Sequence, residues 1–263
     1  MSSMITKVLE RQISQMLEKS KRLDERGLTE YRELKIEEGI IERAEGSAKV
    51  LLGKTEVLVG VKIETGEPFP DTPNEGVLTV NAELVPLASP SFEPGPPDEN
   101  SIELARIVDR GIRESKTVDN TKLCIEPGKK VFVIFVDVYV LNHDGNLIDA
   151  SALAAVSALL NTKMPNYEVK DGEVKIKQGY PPLPMKTHPV TVTIGKINDK
   201  LIIDPGYEEE QVMDSRISMA TKDDGSICAV QKGGAGYFTP KQILEASKLA
   251  QEKAAEIRKK LKW

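Results

Sequence analysis

Three arginines that share one side of a helical segment are the clearest chemical feature of this sequence. Arg106, Arg110 and Arg113 stand at positions i, i+4 and i+7 of the run ELARIVDRGIR, residues 103–113, so a helix would align them. The opposite side of that helix would be apolar, with Leu104, Ile107, Val108, Gly111 and Ile112. A helix that buries one face and exposes a row of guanidinium groups could bind the phosphates of an anionic ligand.

The same spacing allows an alternative, in which the three arginines are only a solvated surface. An acidic residue lies three or four positions from each arginine, which is the spacing of intrahelical ion pairs: Glu103, Asp109 and Glu114. Ion-paired arginines would have little charge left for a ligand. The pattern alone leaves both interpretations open.

The composition is that of an ordinary globular protein and excludes several classes. With 263 residues and 40% hydrophobic side chains, the chain can form one large domain or two small ones. The formal charge of −5 excludes wholesale coating of nucleic acid, so any such contact must be a local basic patch. No signal peptide or bilayer-length apolar run is seen, which predicts a cytoplasmic protein without a membrane partner.

The cysteines and histidines limit the chemistry further. Cys124 and Cys228 lie far apart and form no redox or metal-binding spacing. His143 and His188 are the only histidines, which excludes a multi-histidine metal site and leaves little for a Ser-His-Asp triad. We therefore predict no cofactor and no metal.

Three other motifs are weaker candidates for a site. The glycine-rich run 233–236 lacks the Lys-Ser/Thr of a nucleotide-binding loop and is interpreted as a turn. Asp137, inside an apolar run, is expected to be a structural partner of a buried donor, with a catalytic acid as the alternative. A cluster of acids could hold a divalent cation but is interpreted as a solvated loop: Asp204, Glu208, Glu209, Glu210 and Asp214.

Hydrophobic periodicity in the first half of the chain predicts both helices and strands. The first twenty residues are predicted to form an N-terminal helical extension. Residues 48–52 and 56–63 predict a hairpin, and residues 77–85 predict a further strand. The arginine helix is predicted over residues 101–116.

The second half continues with a long strand, a helix, several hairpins and a last helix. The apolar run 131–141 predicts a strand covered on both faces, and residues 149–160 predict a helix of small residues. Hairpin turns are predicted at Asp171-Gly172, Asn198-Asp199 and Asp223-Asp224-Gly225. The last helix should begin after Thr239 and bury Ile243 and Leu244 among its apolar residues. We predict an α+β fold, with residues 1–263 forming one domain.

Four stretches resemble the RNase PH family of phosphate-dependent 3′→5′ exoribonucleases, in order and at suitable spacing. They are KRLDERGLTEYR (21–32), GSAKVLLGKTEVLVGVK (46–62), IELARIVDRGIRES (102–115) and IEPGKKVFVIFVDVYVLNHDGNLIDA (125–150). Within the family, the chain is most similar to the non-catalytic RNase PH-like subunits of archaeal exosome rings. The features that carry this closer resemblance are DGNLIDA (144–150), the N-terminal helix and the proline-rich loop PSFEPGPPDENS (90–101).

The resemblance implies a fold, partners and a substrate. The RNase PH-type fold has two βαβ-like halves, with helices packed on mixed sheets. The expected partners are a catalytic RNase PH-like subunit, in a hexameric ring of three heterodimers, and trimeric cap subunits that carry RNA-binding domains. The expected ligand is single-stranded RNA, held in a complex that degrades it.

Departures from the pattern of catalytic family members imply that this chain is not itself an enzyme. Catalytic members carry an arginine pair before the helix, where Glu99 and Asn100 stand here. They also carry Gly-Ser/Thr-Arg after the central strand, where this chain has Leu147 in place of the arginine. Two aspartates six residues apart align with Glu210 and Arg216. Phosphorolysis needs cations that hold the attacking phosphate and acids that hold a metal, so the resemblance implies no catalytic residues.

The resemblance instead gives the arginine helix a role in binding. Arg106 and Arg110 align with arginines that the non-catalytic subunit lends to RNA bound at its catalytic neighbour. Arg113 is included as a third candidate, although it could simply pair with Asp109. Two alternatives stay open: an active phosphorolytic exoribonuclease or tRNA 3′-end-processing enzyme, and an inert structural spacer.

Overall fold

Two β-sheets carry most of the chain that the computed structural model describes, residues 3–170 and 173–261. In the first sheet the order is β1-β2-β3-β6-β4, with a short β5 paired to β6. β4 runs parallel to β6 and the other pairs are antiparallel. The strands are β1 (Leu34–Glu38), β2 (Gly46–Leu52), β3 (Thr55–Gly66), β4 (Val77–Leu84), β5 (Cys124–Glu126) and β6 (Lys130–Asn142).

A separate hairpin and an antiparallel second sheet follow in the chain. The hairpin consists of β7 (Asn166–Lys170) and β8 (Glu173–Lys177); its predicted turn, Asp171-Gly172, lies outside the described residues. The second sheet has the order β10-β9-β11-β12. Its strands are β9 (Val190–Ile197), β10 (Lys200–Ile203), β11 (Ser215–Thr221) and β12 (Ile227–Gly233), which confirms the two predicted hairpins.

Five helices complete the described fold, and they confirm the predicted α+β class. They are α1 (Ser3–Glu18), α2 (Glu99–Glu114), α3 (Leu147–Leu160), α4 (Tyr207–Glu210) and α5 (Pro240–Leu261). Over the described ranges, no helix combines the length and the apolar character needed to span a bilayer. α1 packs its C-terminal half on the second sheet, where Ile13 and Leu17 contact Ile197 and Ile202.

Side-chain caps start α2 and α3 two residues earlier than predicted. The Asp98 carboxylate accepts a hydrogen bond from the Ser101 backbone N–H at 2.8 Å, so α2 begins at Glu99. Asn146 caps α3 in the same way through the Asp149 N–H, at 3.4 Å. Both caps fix where the first exposed N–H groups of each helix lie.

The central strand β6 is less completely covered than the sequence predicts. Val136, Val138 and Val140 are buried, but the alternate positions are only half-buried and Tyr139 is exposed. The prediction of a strand covered on both faces is therefore wrong, because apolar residues also suit a half-buried face. Asp137 lies on this open face and accepts a hydrogen bond from Asn81 Nδ2 at 3.1 Å, and because Asn81 is exposed the prediction of a buried donor is wrong.

The last helix buries a narrower stripe than predicted. Its buried residues are mainly alanines four apart, Ala246, Ala250 and Ala254. Leu244 is on the other side of the helix and is 65% exposed. Ile243, in the first turn and N-terminal to the stripe, is 42% exposed. The prediction that these two residues are buried is wrong.

A buried ionic network ties the segment before β1 to the second sheet. Arg22 is 1% exposed, forms an ion pair with Glu209, and donates to the backbone carbonyls of Ile203 and Asp204 at 2.7 and 2.8 Å. Arg32 donates to both carboxylate oxygens of Asp204, at 2.9 and 2.7 Å. Such groups are costly to bury unless each is paired.

Removal of one partner should therefore destabilise the fold strongly. We expect Arg22→Met to lower the free energy of unfolding by about 3–5 kcal/mol, because Glu209 would be left charged and unpaired. Urea denaturation measures this change. Lys253→Ala, which breaks the i,i+3 pair with the exposed Glu256, is the control and should cost under about 1 kcal/mol. Equal effects of the two substitutions would contradict the account.

Candidate functional site

Helix α2 packs its apolar face inward, and its arginines point outward. Leu104, Ile107, Val108 and Ile112 are buried, and the helix contacts β4, α3 and β12. The side chains of Arg106, Arg110 and Arg113 are exposed on one shallow cleft, together with Gln231 from β12. The predicted amphipathic helix is thus confirmed, including the shared face of its arginines.

Arg113 forms the intrahelical ion pair that the interpretation of a solvated surface predicts. Its guanidinium donates to Asp109 at 2.7 and 3.2 Å, and to the Leu78 carbonyl at 3.2 Å. The paired carboxylate raises the pKa of Arg113 above its ordinary value. Its charge is largely neutralised by a neighbour four residues away.

The intrahelical pairing expected for the other two arginines is wrong. Glu103, three residues before Arg106, instead accepts from Arg216 of β11 at 2.6 Å. Arg110 donates to the Gln231 amide oxygen at 3.2 Å, and Arg106 has no ion pair or hydrogen bond to any described residue. The contact between Gln231 and Arg110 could not be predicted from the sequence, because the two residues lie 121 positions apart.

A second cavity, of about 400 Å³, lies beside the arginine cleft and shares Glu103 and Ile107 with it. The cavity brings together positions that the sequence comparison aligned with catalytic residues: Asn100, Leu147, Glu210 and Arg216. Glu99 is exposed on the first turn of α2 and is not among the lining residues. Four of the five aligned positions therefore converge at one place, and the arginine among them, Arg216, is paired with Glu103.

Glu210 lines this cavity and contacts the start of helix α3. Its Oε1 accepts a hydrogen bond from the backbone N–H of Asn146, the residue that caps α3, at 2.8 Å. Helix starts of this kind favour negative ligands, and here a side chain supplies the negative group. Burial raises the pKa of Glu210 to about 7, although the Asn146 N–H opposes the shift. Desolvation lowers the pKa of His143, whose Nε2 lies 4.0 Å from Glu210.

The remaining motifs have structural partners. The interpretation of the 204–214 acids as a solvated loop is wrong for two of them, because Asp204 is buried and pairs with Arg26 and Arg32, and Glu209 is buried and pairs with Arg22. No group of three or more His, Cys, Asp or Glu residues in the described ranges could hold a metal ion. The glycine-rich run 233–236 forms a turn against β11, where Gly236 donates to the Asp214 carbonyl at 2.8 Å.

Two segments of the chain match the models of two domains of one protein family. Residues 30–165 match domain 1 of the 3′ exoribonuclease family, RNase PH, and residues 187–253 match domain 2. The chain belongs to the RNase PH family, which confirms the resemblance.

Individual relatives are similar over almost the whole chain. A Thermococcus kodakarensis protein named exosome complex component Rrp42 is 55% identical over 251 residues, 95% of this chain and 92% of the relative. The Methanothermobacter thermautotrophicus protein of the same name is 48% identical over 254 residues, which are 96% of this chain and 94% of the relative. A chain from an Archaeoglobus fulgidus exosome with RNA bound to the active site has TM-score 0.91 and 47% identity, covering 98% of this chain and 100% of that one. A chain of an archaeal exosome core has TM-score 0.88 and 43% identity, and the match covers 99% of this chain and 98% of that one.

The partly buried Glu210 carboxyl predicts a specific pH dependence of stability. Its pKa is raised in the folded state, so the folded protein keeps a proton that the unfolded chain loses above about pH 4.5. Its contribution to stability is therefore present at low pH and is lost as pH rises towards 7. In Glu210→Gln the amide oxygen still accepts from Asn146, but nothing titrates. We expect the variant to gain on the order of 1–3 kcal/mol relative to wild type between pH 4.5 and 8.

Urea denaturation of both proteins across this pH range measures the difference. Asp149 is also buried and its pKa is raised to about 6, but it titrates in both proteins and cancels in the comparison. A constant difference between variant and wild type at all pH values would show that Glu210 is ionised throughout.

Proposed function

We propose that this chain is a non-catalytic component of an archaeal exosome, a complex that degrades RNA from its 3′ end by phosphorolysis. The similarity to proteins named exosome complex component Rrp42 supports membership of the complex. The observation that carries the non-catalytic role is the lining of the cavity, where Leu147 stands in place of an arginine and Arg216 in place of an acid. Arg216 is already paired with Glu103, and the Asn146 N–H already donates to Glu210, so neither group is free for an attacking phosphate.

The expected partners follow from the family. The chain pairs with a catalytic RNase PH-like subunit, three such heterodimers close a hexameric ring, and trimeric cap subunits with RNA-binding domains cover one face. The chain helps to structure the active site of its catalytic partner. We retain the predictions that residues 1–263 form one domain and that the protein is cytoplasmic.

The chain further contributes arginines that hold RNA by its phosphates. Arg106 and Arg110 carry charge that no described acidic side chain neutralises, whereas Arg113 is paired with Asp109. We therefore assign the main contacts to Arg106 and Arg110 and a lesser one to Arg113. Phosphate contacts carry no base information, so the surface selects single-stranded RNA without strong sequence preference.

The contribution of these contacts is modest. Two single-strand phosphate contacts give a salt slope of about −1.4, which is roughly a sevenfold loss of affinity between 50 and 200 mM salt. This is too little to retain RNA alone. It becomes useful when added to the contacts of a partner around one channel.

The non-catalytic role predicts the outcome of a simple assay. The purified chain, incubated with single-stranded RNA, inorganic phosphate and Mg²⁺, should release no nucleoside diphosphate because the arginine that lines its cavity, Arg216, is already paired with Glu103. Addition of the catalytic partner should restore release, measured by chromatography of the products. Phosphorolysis by the isolated chain, persisting after repurification, would contradict the proposal.

The arginine contacts predict a change in the salt dependence of RNA binding. In the assembled ring, Arg106→Ala with Arg110→Ala should make the slope of log affinity against log salt shallower by about 1.4. Fluorescence anisotropy with labelled single-stranded RNA between 50 and 200 mM salt measures it. Arg113→Ala, on the same helix face but already paired, is the matched control and should change the slope by less than about 0.7. An unchanged slope in the double variant would remove these arginines as RNA ligands.

A further inference from the structure

The second sheet determines how much charge the arginines of α2 can offer. An isolated helix of this sequence would pair Glu103 with Arg106 at i,i+3. In the folded protein Glu103 is held instead by Arg216, a residue of β11 that lies 113 positions away. The Arg216 guanidinium thus occupies the acid that would otherwise neutralise Arg106.

Arg110 is controlled by a different residue of the same sheet. Glu114 stands four residues after it and lines the same cleft, yet Arg110 donates to Gln231 of β12 at 3.2 Å. An amide oxygen accepts a hydrogen bond but carries no net charge. Gln231 can therefore fix the direction of the guanidinium while leaving its positive charge available.

Arg113 shows the contrasting case on the same face. Its partner Asp109 is a carboxylate at 2.7 Å, and the two charges compensate each other. Among the described residues, no acidic side chain pairs with Arg110, which contacts the second sheet, or with Arg106, whose neighbouring acid Glu103 is held by that sheet.

We propose that Arg216 and Gln231 are positioning residues for RNA binding. Arg216 keeps Glu103 away from Arg106, and Gln231 orients Arg110 without neutralising it. This inference rests on the proposed contact between α2 and RNA. It assigns Arg216 a role of its own, although the residue stands where catalytic relatives carry an acid.

The Arg216 part is tested by a double-mutant cycle in the assembled ring. Arg216→Gln releases Glu103 to pair with Arg106, so RNA affinity at 50 mM salt should fall about threefold to eightfold and the salt slope should become shallower by about 0.7. Glu103→Gln together with Arg216→Gln should restore both values. In an Arg106→Ala background, Arg216→Gln should have little further effect, because the charge it acts through is gone.

The Gln231 part is tested with a near-isosteric change. In Gln231→Glu the new carboxylate should pair with Arg110, so RNA affinity and the salt slope should fall by about as much as in Arg216→Gln. This loss should shrink in an Arg110→Ala background. Val230→Ala is the matched control, since its exposed side chain lies on the other face of the same strand. Thermal unfolding shows that each variant is folded.

The outcomes separate this inference from the proposal on which it rests. If Arg106→Ala and Arg110→Ala weaken binding but Arg216→Gln and Gln231→Glu do not, the positioning role is wrong and the RNA contact stands. A loss in Arg216→Gln that persists without Arg106 would show a general charge effect and would also overturn the positioning role. If none of these variants changes RNA binding, both proposals fail.

Discussion

The packing of helix α2 between the two sheets is the constraint on which the functional surfaces depend. Its apolar face is buried, so its arginines must face outward. Its N-terminal half lines the cavity, and residues from Glu103 to Glu114 at its C-terminal end line the arginine cleft beside β12. The Glu103–Arg216 ion pair lies where the two meet. This ion pair affects both the cavity and the cleft. It neutralises Arg216, which lines the cavity, and it keeps Glu103 from pairing with Arg106 in the cleft.

The cavity and the cleft differ in how their charged groups are satisfied. The cavity keeps the helix start at Asn146, but the negative group there is the side chain of Glu210. Its raised pKa reflects the cost of placing a carboxyl in a partly buried position. The cleft has the opposite character, since Arg106 and Arg110 carry charge that no acidic side chain in the described part of the chain pairs with. A ligand with phosphates would satisfy it.

Local features could be predicted from the sequence, and long-range partners could not. The apolar period of α2 and the spacing of its arginines depend on neighbours in the chain, so they were predictable. The convergence of Leu147, Glu210 and Arg216 followed from the family pattern. Glu103 pairs with Arg216 because of the way helix α2 packs against the second sheet, and the spacing of residues in the sequence cannot predict such a contact. The apolar run of β6 misled for a related reason, because hydrophobicity alone does not reveal whether a second layer covers a strand.

A structure of the assembled ring with single-stranded RNA, by cryo-electron microscopy or crystallography, tests the central claim most directly. The account predicts guanidinium nitrogens of Arg106 and Arg110 at about 3 Å from RNA phosphate oxygens, with no RNA in the cavity beside Glu210. It also predicts that Glu103 remains on Arg216. An RNA 3′ end and a phosphate bound beside Glu210, with both arginines away from the RNA, would contradict it.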